Sequence, residues 1–380
     1  MLASQRYEIG PSPAPTSGQP FASKPVLVFW EITRACPLSC AHCRASAISR
    51  PLPGELTTEE GFRLIDEVTA FGKPYPTMIF TGGDPLKRND LSELLAYASE
   101  REIRFAVSPA VSELLTEDVI GRFKELGTSS ISISLDGAKA TTHDSIRRSE
   151  GTYERTLWSI RKALELGLNI QVNTTVMKTN LAEVPEIFHL VRTLGVKVWE
   201  VFFLVKVGRG TEVEDLEPGE CESVCNLLYD ASRYGVTVRT VEAPFIRRVA
   251  RQRSESDAYQ VDGVYLRMKD ELLTLDGEPT GPSTIRPRGT LDGDGIIFVA
   301  YDGTIHPGGL LPVDLGNVKI DSLARVYRQN KLLRAIRARG MTGRCGACDY
   351  RLVCGGSRAR AFAHAGDPLA PDPACMLAPL

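Results

Sequence analysis

From Pro25 onward the chain alternates two kinds of apolar pattern. Runs rich in β-branched and aromatic residues at 26–33, 77–81, 104–108, 130–135, 169–176 and 198–205 read as strands. Between them, 57–71, 91–101, 117–126, 153–166 and 181–194 carry apolar residues at helical spacing. Strand followed by helix, repeated in this way, predicts an α/β fold built on a parallel sheet, closed as a barrel or opened as a wound sheet. Its chemistry is then expected at the C-terminal strand ends, where Thr33, Thr81 and Asp136 run into loops bearing Cys, Gly and Asp. Residues 1–24, with four prolines among Ser, Thr and Gly, are expected to be disordered or draped over the core. The polar stretch 212–282 holds a helix around 218–234 and an Arg-rich piece, followed by a short β-like run at 296–301 and a helix over 323–339. No internal repeat is present.

Length and charge narrow the classes. The 380 residues correspond to two or three domains, at roughly 150 residues each. A net charge of -2 excludes a general nucleic-acid binder. No apolar run approaches the roughly 18 residues of a membrane span, and no signal-peptide pattern opens the chain, so a cytoplasmic protein with no membrane association is expected. The 9 cysteines then point to metal or catalysis rather than to disulfides.

Cys36, Cys40 and Cys43 form a CxxxCxxC spacing in the loop after the first strand. Thiolates this close can hold one compact metal centre. A structural zinc needs a fourth ligand, which His42 could supply only by straining the loop, whereas three thiolates on a cubane iron-sulfur cluster leave one iron open. Spacing alone leaves both readings standing. After the second strand come Gly82, Gly83, Asp84 and Pro85, where two residues without Cβ let the backbone approach a ligand closely. Together these motifs resemble the radical S-adenosylmethionine (radical SAM) superfamily, over nearly the whole chain from Pro25. The resemblance implies a partial (β/α)6 barrel of TIM type, a 4Fe-4S cluster on Cys36, Cys40 and Cys43, and S-adenosylmethionine bound to it. It places Gly82, Gly83, Asp84 and Pro85, where the family usually has Glu in place of Asp84, among the cofactor-binding residues, together with His42. Ser134 at the end of the fourth strand and Asn173 on the fifth join them. Arg147 also joins them through an HDxxR-like stretch, with an ordinary surface pair to Asp144 as the alternative. The family's Asn-Gly turn after the third strand is here Ser108-Pro109-Ala110.

A second group stands near the C-terminus: Cys345, Cys348, Cys354 and Cys375. Alone, four such thiols read as a structural zinc ribbon. Behind the first motif they resemble the SPASM or twitch extension, a small α+β domain with auxiliary iron-sulfur clusters. The pattern departs from a full SPASM domain at Arg358, and the region 297–309 holds Ala300 and His306 but no cysteine. The resemblance therefore implies two 4Fe-4S clusters in all, the second fully ligated by protein and suited to electron transfer. Cys221 and Cys225, one helical turn apart, are left without a metal role. The expected organisation is a tail at 1–24, a radical SAM barrel at 25–245, a polar linker at 246–284 and the auxiliary-cluster domain at 285–380.

The activity this implies is reductive cleavage of S-adenosylmethionine to a 5′-deoxyadenosyl radical that takes a hydrogen from a substrate, with an electron donor such as flavodoxin or ferredoxin. The sequence around both cysteine groups resembles the haem-pathway branch, and Arg247, Arg248, Arg251 and Arg253 offer either a propionate site or a solvated helix face. The rival readings are a peptide maturase, for which 24 leading residues leave no leader-binding domain, a twitch-type sugar dehydrogenase, and a zinc-binding interaction protein.

Overall fold

A computed structural model describes residues 20–255 and 261–377, so most of the expected disordered tail lies outside the described residues. Its end is fixed on the core: the Phe21 carbonyl accepts from the Tyr327 hydroxyl at 2.8 Å and that of Ser23 from Arg328 Nε at 2.8 Å. Ten strands run in chain order: β1 Leu27–Glu31, β2 Thr77–Thr81, β3 Phe105–Val107, β4 Ser130–Ser134, β5 Ile170–Val176, β6 Val198–Phe203, β7 Thr237–Val241, β8 Leu291–Asp292, β9 Gly295–Val299 and β10 Ile305–His306. Parallel strands joined by helices make this a mixed α/β fold, a partial barrel of TIM type. The chain divides into two compact units, 1–39 with 44–131 and 290–341, and 40–43 with 132–289 and 342–380.

In the first unit the strand order is β10, β9, β1, β2, β3, β4, parallel except for β10. Trp30, Phe80 and Phe105 pack in a row across β1, β2 and β3, the first pair tilted and the second edge-to-face, with ring centroids 5.8 and 5.9 Å apart. The helix Thr58–Thr69 opens on a capping box in which Thr57 and Glu60 satisfy each other's backbone N–H groups. It lies so close to β1 that a Cβ on Gly61 would stand 2.7 Å from the Trp30 ring. One expected boundary is corrected here. β9, assigned from sequence to a separate extension, pairs in parallel with β1 from Leu27↔Ile296 to Trp30↔Val299. Its apolar Gly-Ile-Ile-Phe-Val run is what a strand buried on both faces requires.

In the second unit the end of β4 is followed by β5, β6 and β7, all parallel from β5 onward. Trp199 of β6 packs on Phe188 of the helix Val184–Thr193 at 5.5 Å, so helices cover that face. Residues one step along point the other way: Asn173, Glu200 and Arg239 are cross-strand neighbours on the opposite face. A second correction concerns 246–284, expected as a polar linker, which contains the helices Ile246–Glu255 and Gly263–Asp276. The arginines there are structural. Arg248 is buried against Glu222 with two bonds of 2.6 and 2.5 Å, Arg253 pairs with Asp230 at 2.6 Å, and exposed Arg251 pairs with Glu255 at 2.9 Å. Buried, paired arginines escape a count of apolar positions, which is why the helices read as linker.

Candidate functional site

In the first unit the Gly82–Asp84 turn is bonded to the stretch that enters the cysteine loop. Gly83 N donates to the Thr33 carbonyl at 2.8 Å and Asp84 N to the Ala35 carbonyl at 2.7 Å, while Cys36 N donates to the Ile48 carbonyl at 2.7 Å. A Cβ on Gly82 would stand 2.4 Å from the Thr33 oxygen, and one on Gly83 2.4 Å from the Ala35 oxygen. The sequence reading assigned the missing side chains to a ligand; the structure uses them first for this close approach of the chain to itself. Asp84 is buried and turned into the protein: Oδ1 accepts from Leu86 N at 3.1 Å and Ala110 N at 3.3 Å, and Oδ2 from Ser112 Oγ at 3.2 Å. Burial raises its pKa, against the pull of these donors. The carboxylate therefore ties the loop after β3 to the turn after β2, and Pro85 opens the single turn of 3-10 helix Pro85–Lys87 beside it.

The second unit contains a buried cluster in which Asp136 joins His42 and Arg147, a connection the sequence reading did not draw. Asp136, just past β4, is fully buried. Its Oδ2 lies 3.2 Å from His42 Nε2 and 2.5 Å from Arg147 Nη2, and its Oδ1 accepts from Thr175 N at 2.8 Å. Burial opposes its charge, yet Arg147 and His42 hold the carboxyl well below the usual carboxylate range. Arg147 Nη1 also reaches Cys40 Sγ at 3.7 Å, and Arg209 Nε donates to the Cys40 carbonyl at 2.8 Å. Arg147 thus pairs inward, and the alternative of a surface pair with Asp144 is excluded, because Asp144 accepts from Gly151 N and Tyr153 N, both at 2.7 Å. His143 Nδ1 accepts from Asp136 N at 3.0 Å; burial, followed by Arg147, lowers its pKa to about 4. Asp136 was legible as the polar end of Ser-Ile-Ser-Leu-Asp, where Ser134 was chosen instead; Ser134 is half-buried at the last position of β4. Asn173 accepts from Gln171 Nε2 at 2.9 Å, on the face of β5 away from the helices.

The second cysteine group also lies in this unit. Cys345, Cys348, Cys354 and Cys375 line one cavity with Arg248, Tyr350 and Gly356. Two of the sulfurs already accept backbone N–H groups: Cys354 from Gly356 at 3.4 Å and Cys345 from Asp372 at 3.4 Å. Burial pushes the Cys354 thiol up to about 12. Among the described residues no three His, Cys, Asp or Glu side chains gather closely enough for a single metal ion, and what is present is four thiols around a space. That donor set fits a multinuclear iron-sulfur centre. The group is fastened to the ends of β6 and β7 by Arg360, which donates to the Leu204 carbonyl at 3.2 Å and the Glu242 carbonyl at 2.8 Å and pairs with Asp372 at 3.4 Å. Arg358, standing where a further cysteine is absent, donates to the carbonyls of Gly356, Pro368 and Ala370. Cys221 and Cys225 are buried in the helix Pro218–Ala231, consistent with core thiols.

A cysteine loop after β1, a glycine turn after β2 and an Arg-Asp cluster after β4 define a class. The radical SAM superfamily model matches residues 30–191, and the chain belongs to that superfamily. It is 36% identical over 357 residues to the AdoMet-dependent heme synthase of Nitratidesulfovibrio vulgaris, covering 93% of this chain and 92% of that protein. To the protein of the same description in Methanosarcina barkeri it is 34% identical, over 93% and 97%. The crystal structure of Streptococcus suis SuiB shares the fold with TM-score 0.68 at 14% identity, over 93% of this chain and 78% of that one. The protein is accordingly an enzyme of a family that uses S-adenosylmethionine and a 4Fe-4S cluster. No helix among the described residues is long and apolar enough to cross a membrane.

Proposed function

We propose that this enzyme oxidises the carboxylate-bearing side chains of an iron porphyrin; two of the proteins it is similar to are described as AdoMet-dependent heme synthases. The observation that carries the reading is similarity to those relatives over 93% of the chain. Cys36, Cys40 and Cys43 would hold the first cluster, with Arg147 donating toward Cys40 Sγ and Leu38 N toward Cys36 Sγ at 3.4 Å. His42, the Gly82–Pro85 turn, Ser134, Asn173 and Arg147 would bind S-adenosylmethionine, and Cys345, Cys348, Cys354 and Cys375 a second cluster. When bound, these groups would supply a 5′-deoxyadenosyl radical at the first centre and an electron acceptor at the second.

The chain's own part is to fix the loops. Asp136 holds Arg147 and His42 against the Cys40–Cys43 segment, and Arg360 holds the second cysteine loop at the ends of β6 and β7. Oxidative decarboxylation of a propionate leaves a vinyl group, carbon dioxide, one hydrogen removed as an atom and one electron to be accepted. The test is anaerobic incubation of the reconstituted enzyme with S-adenosylmethionine, dithionite and Fe-coproporphyrin III, an iron porphyrin bearing four propionates. Mass spectrometry should show 5′-deoxyadenosine together with porphyrin that has lost carbon dioxide and hydrogen. Deoxyadenosine formation with an unchanged porphyrin would reject the substrate and keep the chemistry; neither product would reject both.

A further inference from the structure

The face of β5, β6 and β7 opposite Trp199 carries a polar row that ends on an exposed arginine. Asn173, Glu200 and Arg239 are adjacent by register, and Gln171 Nε2 donates at 2.9 Å to both Asn173 Oδ1 and Glu200 Oε2. That bond fixes the first two. Burial raises the pKa of Glu200, and the nearby charge of Arg239 and the bond from Gln171 oppose that rise. Arg239 itself is exposed, and among the described residues its guanidinium makes no hydrogen bond. Arg147, Arg248, Arg253, Arg358 and Arg360 all donate to protein partners, whereas Arg239 stands exposed with its donors accessible.

Two residues further along the same face, toward the C-terminal strand ends, Phe202 and Val241 pair in register. An apolar surface next to a spare guanidinium suits a molecule with an apolar body and an anionic arm. We propose that Arg239 anchors a carboxylate of the substrate, with Phe202 and Val241 against the apolar body from which that carboxylate hangs. The inference rests on the tetrapyrrole reading above and adds a residue to it.

The test measures Soret-band titrations of Fe-coproporphyrin III, and of its tetramethyl ester, into reconstituted protein. Wild type should bind the acid, and Arg239→Gln should bind it at least about tenfold more weakly, the loss expected for one charge-assisted hydrogen bond. Arg239→Lys should recover part of the loss, and the ester should bind wild type no better than the acid binds Arg239→Gln. Iron content and thermal midpoint of each variant must match wild type; should Arg239→Gln fail that control, the Lys variant and the ester series decide. Glu200→Gln should bind the acid as tightly as wild type or more tightly, because a neighbouring like charge is removed. A tenfold loss in Glu200→Gln would overturn the proposal by showing that the pair only holds the sheet, as would equal binding of acid and ester. Unchanged acid binding in Arg239→Gln would overturn it too, as would a loss confined to S-adenosylmethionine. No binding of the acid to wild type would reject the tetrapyrrole reading itself, and this subsite with it.

Discussion

Arg147 holds Asp136 at 2.5 Å with one guanidinium nitrogen and reaches Cys40 Sγ at 3.7 Å with another. Both side chains of the ion pair are almost wholly buried, so each charge depends on the other. Loss of one partner should therefore be far more damaging than loss of both.

Asp136→Asn should destabilise the protein by about 3–5 kcal/mol, the usual result of stranding one buried charge. The double variant Asp136→Asn/Arg147→Gln should recover a measurable part of that. Denaturant unfolding of the wild type, both single variants and the double variant closes the cycle. Additive losses would show that the pair is not coupled, and the role given to Asp136 would fall.

The glycine turn makes a sharper claim about geometry. Gly83→Ala puts a methyl 2.4 Å from the Ala35 carbonyl oxygen, a backbone atom that cannot rotate away. Either β2 or the cysteine loop must shift. The expected result is a lower thermal midpoint and poorer iron incorporation at the first loop. Gly121 in the helix Glu117–Glu125 is the control: nothing lies within 4 Å of its Cβ position, so Gly121→Ala should stabilise by up to about 1 kcal/mol. Equal effects at the two positions would contradict the packing described.

Sequence patterning located these features unevenly, for physical reasons. β2 was bounded as observed and β4 and β5 to within a residue, because two-residue alternation over a half-buried strand is a strong signal. β7 was missed: Thr-Val-Arg-Thr-Val has one buried side chain, Val238, and carries exposed Arg239. The single helix expected over 323–339 breaks at Asn330, whose extended backbone ends Leu323–Gln329 and whose side chain caps Lys331–Arg337 through Leu332 N at 2.9 Å. At the candidate site the cysteines and glycines were visible as motifs. Asp136 and Arg360 act through what they touch after folding, and spacing along the chain does not display that.

His143 gives a pH dependence with a definite sign. Its folded pKa is lowered from the ordinary 6.5 to about 4, by burial first and Arg147 second. The unfolded chain takes up the proton at higher pH than the folded one does. Stability from this group is therefore complete above pH 6.5, and falls by about 3 kcal/mol as pH drops to 4. Urea unfolding at intervals through this window, compared with His143→Gln, should show the variant losing less stability on acidification. Parallel pH profiles for the two proteins would mean that His143 is not held neutral.

The last expectation concerns iron, because it separates the two cysteine groups. Cys36, Cys40 and Cys43 follow β1, whereas Cys345, Cys348, Cys354 and Cys375 line their own cavity, fastened by Arg360 and Asp372. If each group holds a 4Fe-4S cluster, the anaerobically reconstituted protein should carry about eight irons per chain. Cys36→Ala/Cys40→Ala/Cys43→Ala should retain roughly half of them and lose cleavage of S-adenosylmethionine. Cys345→Ala/Cys348→Ala should also retain roughly half, yet keep that cleavage, since it needs only the first centre. Metal binding can supply folding energy, so both variants must first show a cooperative thermal transition near that of wild type. Stoichiometric zinc with little iron and sulfide in the second group would assign it as a structural staple, and iron unchanged by either substitution would reject both ligand sets.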